Sequence, residues 1–233
     1  MTRRLSLVAA VTVTALLTAG CGSLLAPRPN RTRFYFLSPA AEASDANKQA
    51  SDVDLTVGLG PLKLPDYLNR TQQAVRVGPN QIRFLEDDRW AEALDANVVR
   101  VLSQNLTARL GNVRVLTLPT FLAPPRAYDV PLEILRFEST ASGDAELSAR
   151  WGIKDGKTDT LLVTAETHLV EPATGSGADA AVAALSRALG HWSDEIGAAL
   201  TRVRAAQPPS TASAADKGAA RKAKKKSSRG EQP

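Results

Sequence analysis

The sequence predicts an α/β (α+β) fold with two layers, in which a mixed or antiparallel sheet carries two main helices on one face. Several short segments alternate apolar and polar residues with the period of a strand, and two longer segments carry an apolar stripe with the period of a helix. The 233 residues are 43% hydrophobic and 23% charged, which is an ordinary globular composition. We therefore expect a single folded domain over residues 34–205.

In the first half of the chain, four strands and one helix have local signals. Strands are expected over 34–37, 53–59, 75–77 and 81–85. Gly60-Pro61 is expected to end the second strand, and Gly78-Pro79-Asn80 to form the turn between the last two. A helix should follow, capped by Asp87 or Asp88 and ended by Gly111. Its apolar stripe consists of Trp90, Leu94, Val98, Val101, Leu102 and Leu106.

In the second half, four further strands are expected over 113–118, 130–137, 146–153 and 160–170. Asp155-Gly156 supplies the positive φ angles of a tight hairpin turn, so the last two strands should pair antiparallel. A second helix over 177–204 carries a long apolar stripe, which would pack on the sheet. Trp90, Trp151 and Trp192 each lie on an apolar face and are expected in the core.

The first 20 residues have the pattern of a secretory signal peptide, with Arg3 and Arg4 before a short uncharged apolar stretch. Leu17-Thr18-Ala19-Gly20-Cys21 then resembles a bacterial lipobox. We predict that Cys21 is lipidated, since its position and small neighbours fit and no other cysteine is present. The alternative is a plain signal peptide with a small buried cysteine.

Lipidation of Cys21 would hold the mature chain on a membrane face, because two or more acyl chains give a stable anchor. Residues 21–33 would then form a lipidated tether. By resemblance to Gram-negative lipoproteins, the absence of Asp at position 22 favours the outer membrane.

The net charge of +5 lies at the ends of the chain. Residues 206–233 contain seven basic and two acidic residues, whereas residues 21–205 contain 20 basic and 22 acidic ones. The folded part therefore lacks the basic surplus of a nucleic-acid footprint. Residues 206–233 are predicted to be a disordered basic tail that stays solvated, with anionic headgroups or a partner protein as alternative contacts.

Few side chains have the spacing of a catalytic or metal site. One cysteine and two histidines exclude a disulfide framework and leave little for a metal centre, so we expect no cofactor and no metal. His168 and Glu166 share a strand face and could do acid–base work, but a surface cross-strand pair is favoured. His191 lies beside the apolar stripe of the second helix and is expected to pack rather than to react. Glu86-Asp87-Asp88 is expected to cap the start of the first helix rather than to bind a cation.

One segment is not explained by secondary-structure propensity: Gly60-Pro61-Leu62-Lys63-Leu64-Pro65-Asp66-Tyr67-Leu68-Asn69-Arg70. Followed by a helix, it resembles the PqiC-like family, the auxiliary lipoproteins of ABC-type transport systems. The strand Phe34-Tyr35-Phe36-Leu37 after a lipobox and the last helix are also similar to that family. The resemblance covers roughly residues 34–204 and does not extend to the basic tail.

The resemblance implies a non-enzymatic role in the periplasm. Such lipoproteins work with an MCE-domain protein and its ABC transporter in systems linked to lipid traffic and membrane integrity. An anchored domain on a mobile tether suits a docking or a ring-forming component, and a ring would make the chain a homo-oligomer. Pro65, Asp66, Tyr67 and Arg70 are the candidate partner surface, because a polar-tipped aromatic and an arginine on a loop suit interfaces. The alternative is that Tyr67 and Leu68 seal the sheet edge.

Two other functions remain open on the sequence. A periplasmic hydrolase would need a pocket that gathers His168, Glu166 and a serine. A lipoprotein that binds lipid directly would need an apolar cleft.

Overall fold

The computed structural model describes residues 30–40, 55–121 and 124–206. From Phe34 onward these residues belong to one structural unit, and of the preceding unit, residues 1–33, only 30–33 are described. The predicted signal peptide, Cys21, most of the tether and the basic tail lie outside the described residues.

Eight strands within the described ranges form one open mixed sheet. They are β1 (Arg33–Tyr35), β2 (Leu55–Lys63), β3 (Gln72–Gly78), β4 (Gln81–Trp90), β5 (Val113–Thr117), β6 (Tyr128–Thr140), β7 (Ala145–Asp155) and β8 (Leu161–Glu171). The central strand β6 pairs parallel with β2 and β3 and antiparallel with β7. The strands β2 and β5 lie on one side of β6, and β7 and β8 lie on the other.

Two helices in the described part of the chain, α1 (Leu94–Leu110) and α2 (Gly177–Ala206), pack against each other and against this sheet. On β7, alternate residues from Leu147 to Ile153 are buried, as the period of a strand requires. Trp90, Trp151 and Trp192 are 4%, 6% and 0% exposed, which confirms their core positions. The predicted two-layer class with a mixed sheet is also confirmed.

The predicted start of the first helix is wrong. Strand β4 continues through Asp87 and Asp88 to Trp90, and α1 begins at Leu94 without a side-chain cap. Asp88 is instead buried and accepts a hydrogen bond from the Tyr35 hydroxyl at 3.2 Å. A buried partner on β1 therefore outweighed the local capping signal, whereas the predicted stop at Gly111 is confirmed.

The predicted end of the second strand at Gly60-Pro61 is also wrong. β2 continues to Lys63 across an irregularity between Leu59 and Leu62 in its pairing with β6. Gly60 adopts a φ of +108°, a left-handed conformation that favours glycine. It marks a bulge within the strand and not its end.

The antiparallel pairing of β7 and β8 is confirmed, but the turn differs from the two-residue form expected. Five residues lie between Asp155 and Leu161, and the positive φ falls on Asp159. Gly156 is required for another reason, since a Cβ there would lie 2.3 Å from the Arg126 carbonyl oxygen. The close contact between Gly156 and the loop that carries Arg126 therefore requires glycine in this turn.

The segment after β1 is held on the helices by side chains. Three backbone amides donate to them: Leu37 to Asn97 Oδ1 at 3.3 Å, Ser38 to Ser186 Oγ at 3.1 Å and Ala40 to Asn105 Oδ1 at 2.9 Å. A Cβ at Gly190 would lie 2.6 Å from the Ala40 Cβ, so the missing side chain admits this segment.

Candidate partner-binding site

The predicted partner surface lies directly after β2, where the chain makes a short 3-10 turn over Asp66–Leu68. The turn is closed by the Leu68 amide, which donates to the Pro65 carbonyl at 2.9 Å. Leu68 is buried, whereas Asp66 is exposed. The turn is thus fixed to the domain through Leu68 and presents its polar residues outward.

Tyr67 is half-buried and its hydroxyl donates to Glu138 Oε2 at 2.5 Å. Glu138 is only 1% exposed and also accepts a hydrogen bond from Arg76 Nε at 2.7 Å. Burial, followed by the hydrogen bond to Glu138, raises the pKa of Tyr67 well above its ordinary value. The phenol therefore stays neutral and acts as a donor that ties the turn to the sheet.

Glu138 reaches this position because β6 changes its alternation. The pairing of β6 with β7 is irregular between Ile134 and Arg136, and Phe137 and Glu138 are then both buried. Arg76 comes from β3, which pairs parallel with the end of β6. Glu138 and Arg76 are not predicted as site residues from the sequence, because a bulge and a long-range strand pairing leave no short-range signal.

Arg70, at the end of the turn, contacts strand β4. Its guanidinium lies over the ring of Phe84, 4.7 Å from the centroid, which is a cation–π contact. The side chain is exposed and held in one place. The structure therefore brings Pro65, Asp66, Tyr67 and Arg70 together on one turn, and Tyr67 is also its internal support. Leu68 belongs to the buried core and Tyr67 packs against it. The partner role stays a prediction.

The candidate catalytic residues form an open cross-strand arrangement. Ser148 Oγ lies 2.9 Å from His168 Nδ1, and Arg150 Nε donates to Glu166 at 2.7 Å. His168 and Glu166 are exposed on the sheet, and Glu166 is engaged by Arg150 and not by the imidazole. A serine and a histidine are therefore within reach of each other, but the carboxylate does not orient the ring as a catalytic triad requires.

His191 does not pack into the core as expected. It is exposed on α2, and its Nδ1 lies 2.6 Å from Glu171 at the end of β8. Glu86, Asp87 and Asp88 lie on strand β4, where Glu86 and Asp87 are exposed and Asp88 is buried. No group of three or more metal-ligating side chains occurs within 30–40, 55–121 and 124–206. No helix of these ranges is long and apolar enough to cross a membrane.

Comparisons with solved structures show the same fold. An uncharacterized protein matches with a TM-score of 0.61 and 18% identity, over 72% of this chain and 98% of its own. A Xanthomonas campestris protein matches with a TM-score of 0.58 and 14% identity, over 71% of this chain and 93% of its own. A sequence comparison with curated proteins gives no significant match.

The sequence model of one family matches residues 35–197. This range runs from β1 through most of α2 and includes the turn with Tyr67 and its support, Glu138. The family is the ABC-type transport auxiliary lipoprotein component. The chain therefore belongs to the family of ABC-type transport auxiliary lipoproteins.

Proposed function

We propose that this chain is an outer-membrane lipoprotein subunit of an ABC/MCE-type lipid-transport system, with a docking or assembly role. The observation that carries the proposal is the family match over residues 35–197, preceded in the sequence by a lipobox ending at Cys21. A lipidated Cys21 would leave residues 22–33 as a tether, which can extend at most about 40 Å. The domain could therefore meet an envelope-spanning partner while staying anchored.

The turn of residues 65–70 is the docking surface in this proposal. Its support by Leu68, Tyr67 and Glu138 fixes it before a partner arrives, which lowers the entropy cost of binding. Its exposed charges, Asp66 and Arg70, are of opposite sign, so a partner with the reverse pair in register would be selected. Its role is binding; no step of chemistry is assigned to it.

Site-specific photocrosslinking tests this docking role. A photoreactive residue at position 66 should crosslink an MCE-domain protein in intact cells, whereas the same residue at Arg114, an exposed cation on β5, should not. With the photoreactive residue kept at position 66, the charge reversal Arg70→Glu should abolish the crosslink, and the control Arg114→Glu should keep it. If neither position gives a crosslink to an MCE-domain protein, the proposed partner is wrong.

Palmitate labelling tests the anchor separately. The wild type should incorporate labelled palmitate and sediment with the outer membrane. Cys21→Ser should lose the label, whereas Ser23→Ala in the tether should keep it. Retention of label by Cys21→Ser would refute lipidation at this cysteine, and sedimentation of the labelled wild type with the inner membrane would refute the proposed location.

A further inference from the structure

One end of the sheet combines exposed apolar side chains with an excess of cations. We call it the basic end and define it by Phe121, Arg126, Lys154, Lys157, Leu161 and Arg204. Phe121 is fully exposed on the loop between β5 and β6, and Leu161 is 55% exposed at the start of β8. Large apolar side chains in such positions mark contact surfaces when they occur together.

The strand register places these residues side by side. Gly58 on β2 pairs with Asp129 on β6, Asp129 with Lys154 on β7, and Lys154 with Leu161 on β8. With about 4.8 Å between neighbouring strands, this row spans only about 15 Å. The basic residue and the exposed leucine are therefore adjacent on one row of the sheet.

The loop carrying Phe121 lies over the same row. A Cβ at Gly58 would lie 2.8 Å from Leu118 Cδ1 and 3.0 Å from Arg126 Cδ, so both ends of the loop cross this glycine. Phe121 is three residues from Leu118, so the Cα atoms of these two residues lie at most about 11 Å apart.

The charges at this end favour an anionic partner. Arg126 and Lys154 are ion-paired with Asp129 and Asp159 at 2.6 and 2.9 Å, whereas Lys157 is in no ion pair of the described structure. The Asp155 carboxylate accepts hydrogen bonds from the Thr158 and Lys157 amides, and these keep the pKa of Asp155 below its usual value. Counting Arg204 at the end of α2, the four cations of the basic end outnumber its three carboxylates, Asp129, Asp155 and Asp159.

The basic tail starts from the same end. Arg204 acts electrostatically on Tyr128, the first residue of β6, and α2 ends two residues later. The chain after Ala206 carries seven further cations, so they follow directly from this end of the domain. Cations near an anionic bilayer contribute about 1 kcal/mol each, and an exposed aromatic next to them can enter the interface.

We propose that the basic end is a second membrane contact, at which Phe121 and Leu161 enter the interface of a bilayer with anionic headgroups. The contact is independent of the acyl anchor at Cys21 and of any protein partner, so it can be tested without either. It would orient the domain on the bilayer, with α2 pointing its last turn toward the surface.

Vesicle binding by the full mature chain carrying Cys21→Ser tests this contact. The protein should bind vesicles of equal parts phosphatidylglycerol and phosphatidylethanolamine, and should be released at about 1 M salt, where the screening length is about 3 Å. Phe121→Ser should weaken binding about tenfold, equivalent to about 1.4 kcal/mol. Phe34→Ser, at an exposed phenylalanine on β1, should leave binding unchanged.

Two further measurements separate the domain from its tail. Removal of residues 207–233 should weaken binding while leaving the effect of Phe121→Ser intact. Phe121→Trp should add a fluorescence component that shifts to the blue and is quenched by brominated lipid, over a constant background from the three buried tryptophans. Equal binding to phosphatidylcholine vesicles, no binding at all, or full binding by Phe121→Ser would each overturn the proposal.

Discussion

The hydroxyl of Tyr67 donates to the buried carboxylate of Glu138 across 71 positions of sequence. Arg76 reaches the same carboxylate from β3, with Nη2 2.5 Å from Oε1. One acidic side chain thereby joins the turn after β2, the strand β3 and the end of β6. The exposed residues of the turn owe their fixed position to this interior contact.

Glu138→Gln should destabilise the domain by about 3 kcal/mol, because it leaves the Arg76 guanidinium without its anionic partner in a mostly buried site. Chemical denaturation would measure the loss in the free energy of unfolding. Lys63→Ala, which removes an exposed cation, should leave the midpoint unchanged. Equal effects from both variants would contradict the role given to Glu138.

Stability should fall above pH 10, and Tyr67 should contribute to the fall. Its pKa is raised in the folded state, so the unfolded chain releases the phenolic proton first and is stabilised relative to the folded state as pH rises. Below that range both states hold the proton and the contribution is complete. Tyr67→Phe should therefore have a flatter decline in unfolding free energy between pH 10 and 11. A slope identical to that of the wild type would refute this assignment.

Gly190→Ala should destabilise the domain by about 1–3 kcal/mol, despite the better helix propensity of alanine, because the new Cβ would collide with Ala40. Gly197 is the matched control, because it also lies on α2 but a Cβ there would meet the flexible side chain of Arg109. Gly197→Ala should be neutral or gain up to about 1 kcal/mol. Thermal unfolding of the two variants would compare them, and a stabilised Gly190→Ala would contradict the close contact.

Trp151→Phe should cost about 1 kcal/mol more than Trp192→Phe. Both indoles are buried, but Trp151 Nε1 donates to Thr167 Oγ1 at 2.9 Å, whereas Trp192 Nε1 has no acceptor within the described structure. Removing the first donor leaves a buried acceptor poorly satisfied, while removing the second relieves an unpaired group. Denaturation midpoints would rank the two variants, and the reverse order would be inconsistent with these contacts.

Ser148→Ala and His168→Ala should leave the proposed docking function intact. The pair lies on an exposed sheet face, and Glu166 is held by Arg150, so no oriented base is available. Crosslinking yield from position 66 and sensitivity of cells to detergent would provide the readouts. Loss of function in both variants, with unchanged folding, would revive the hydrolase alternative.

Much of the fold could be predicted because its signals are local. The period of the apolar residues predicted α2 and the core position of Trp151 on β7, and the glycine C-cap signal predicted the end of α1 at Gly111. The turn with Asp66 and Arg70 was also found from its sequence, as an extended segment that propensity did not explain. These features depend on residues a few positions apart, and a single sequence records such spacings directly.

The sequence by itself determined the two-layer class, the order of most elements and the exposed turn that follows β2. Only the tertiary structure decided that Asp88 bonds Tyr35 instead of capping a helix, that β2 passes through Gly60, and that Glu138 supports Tyr67. In each case the deciding partner is distant in sequence or a bulge shifts the strand register. A buried polar group needs a partner wherever the fold provides one, and that requirement overrides local propensity.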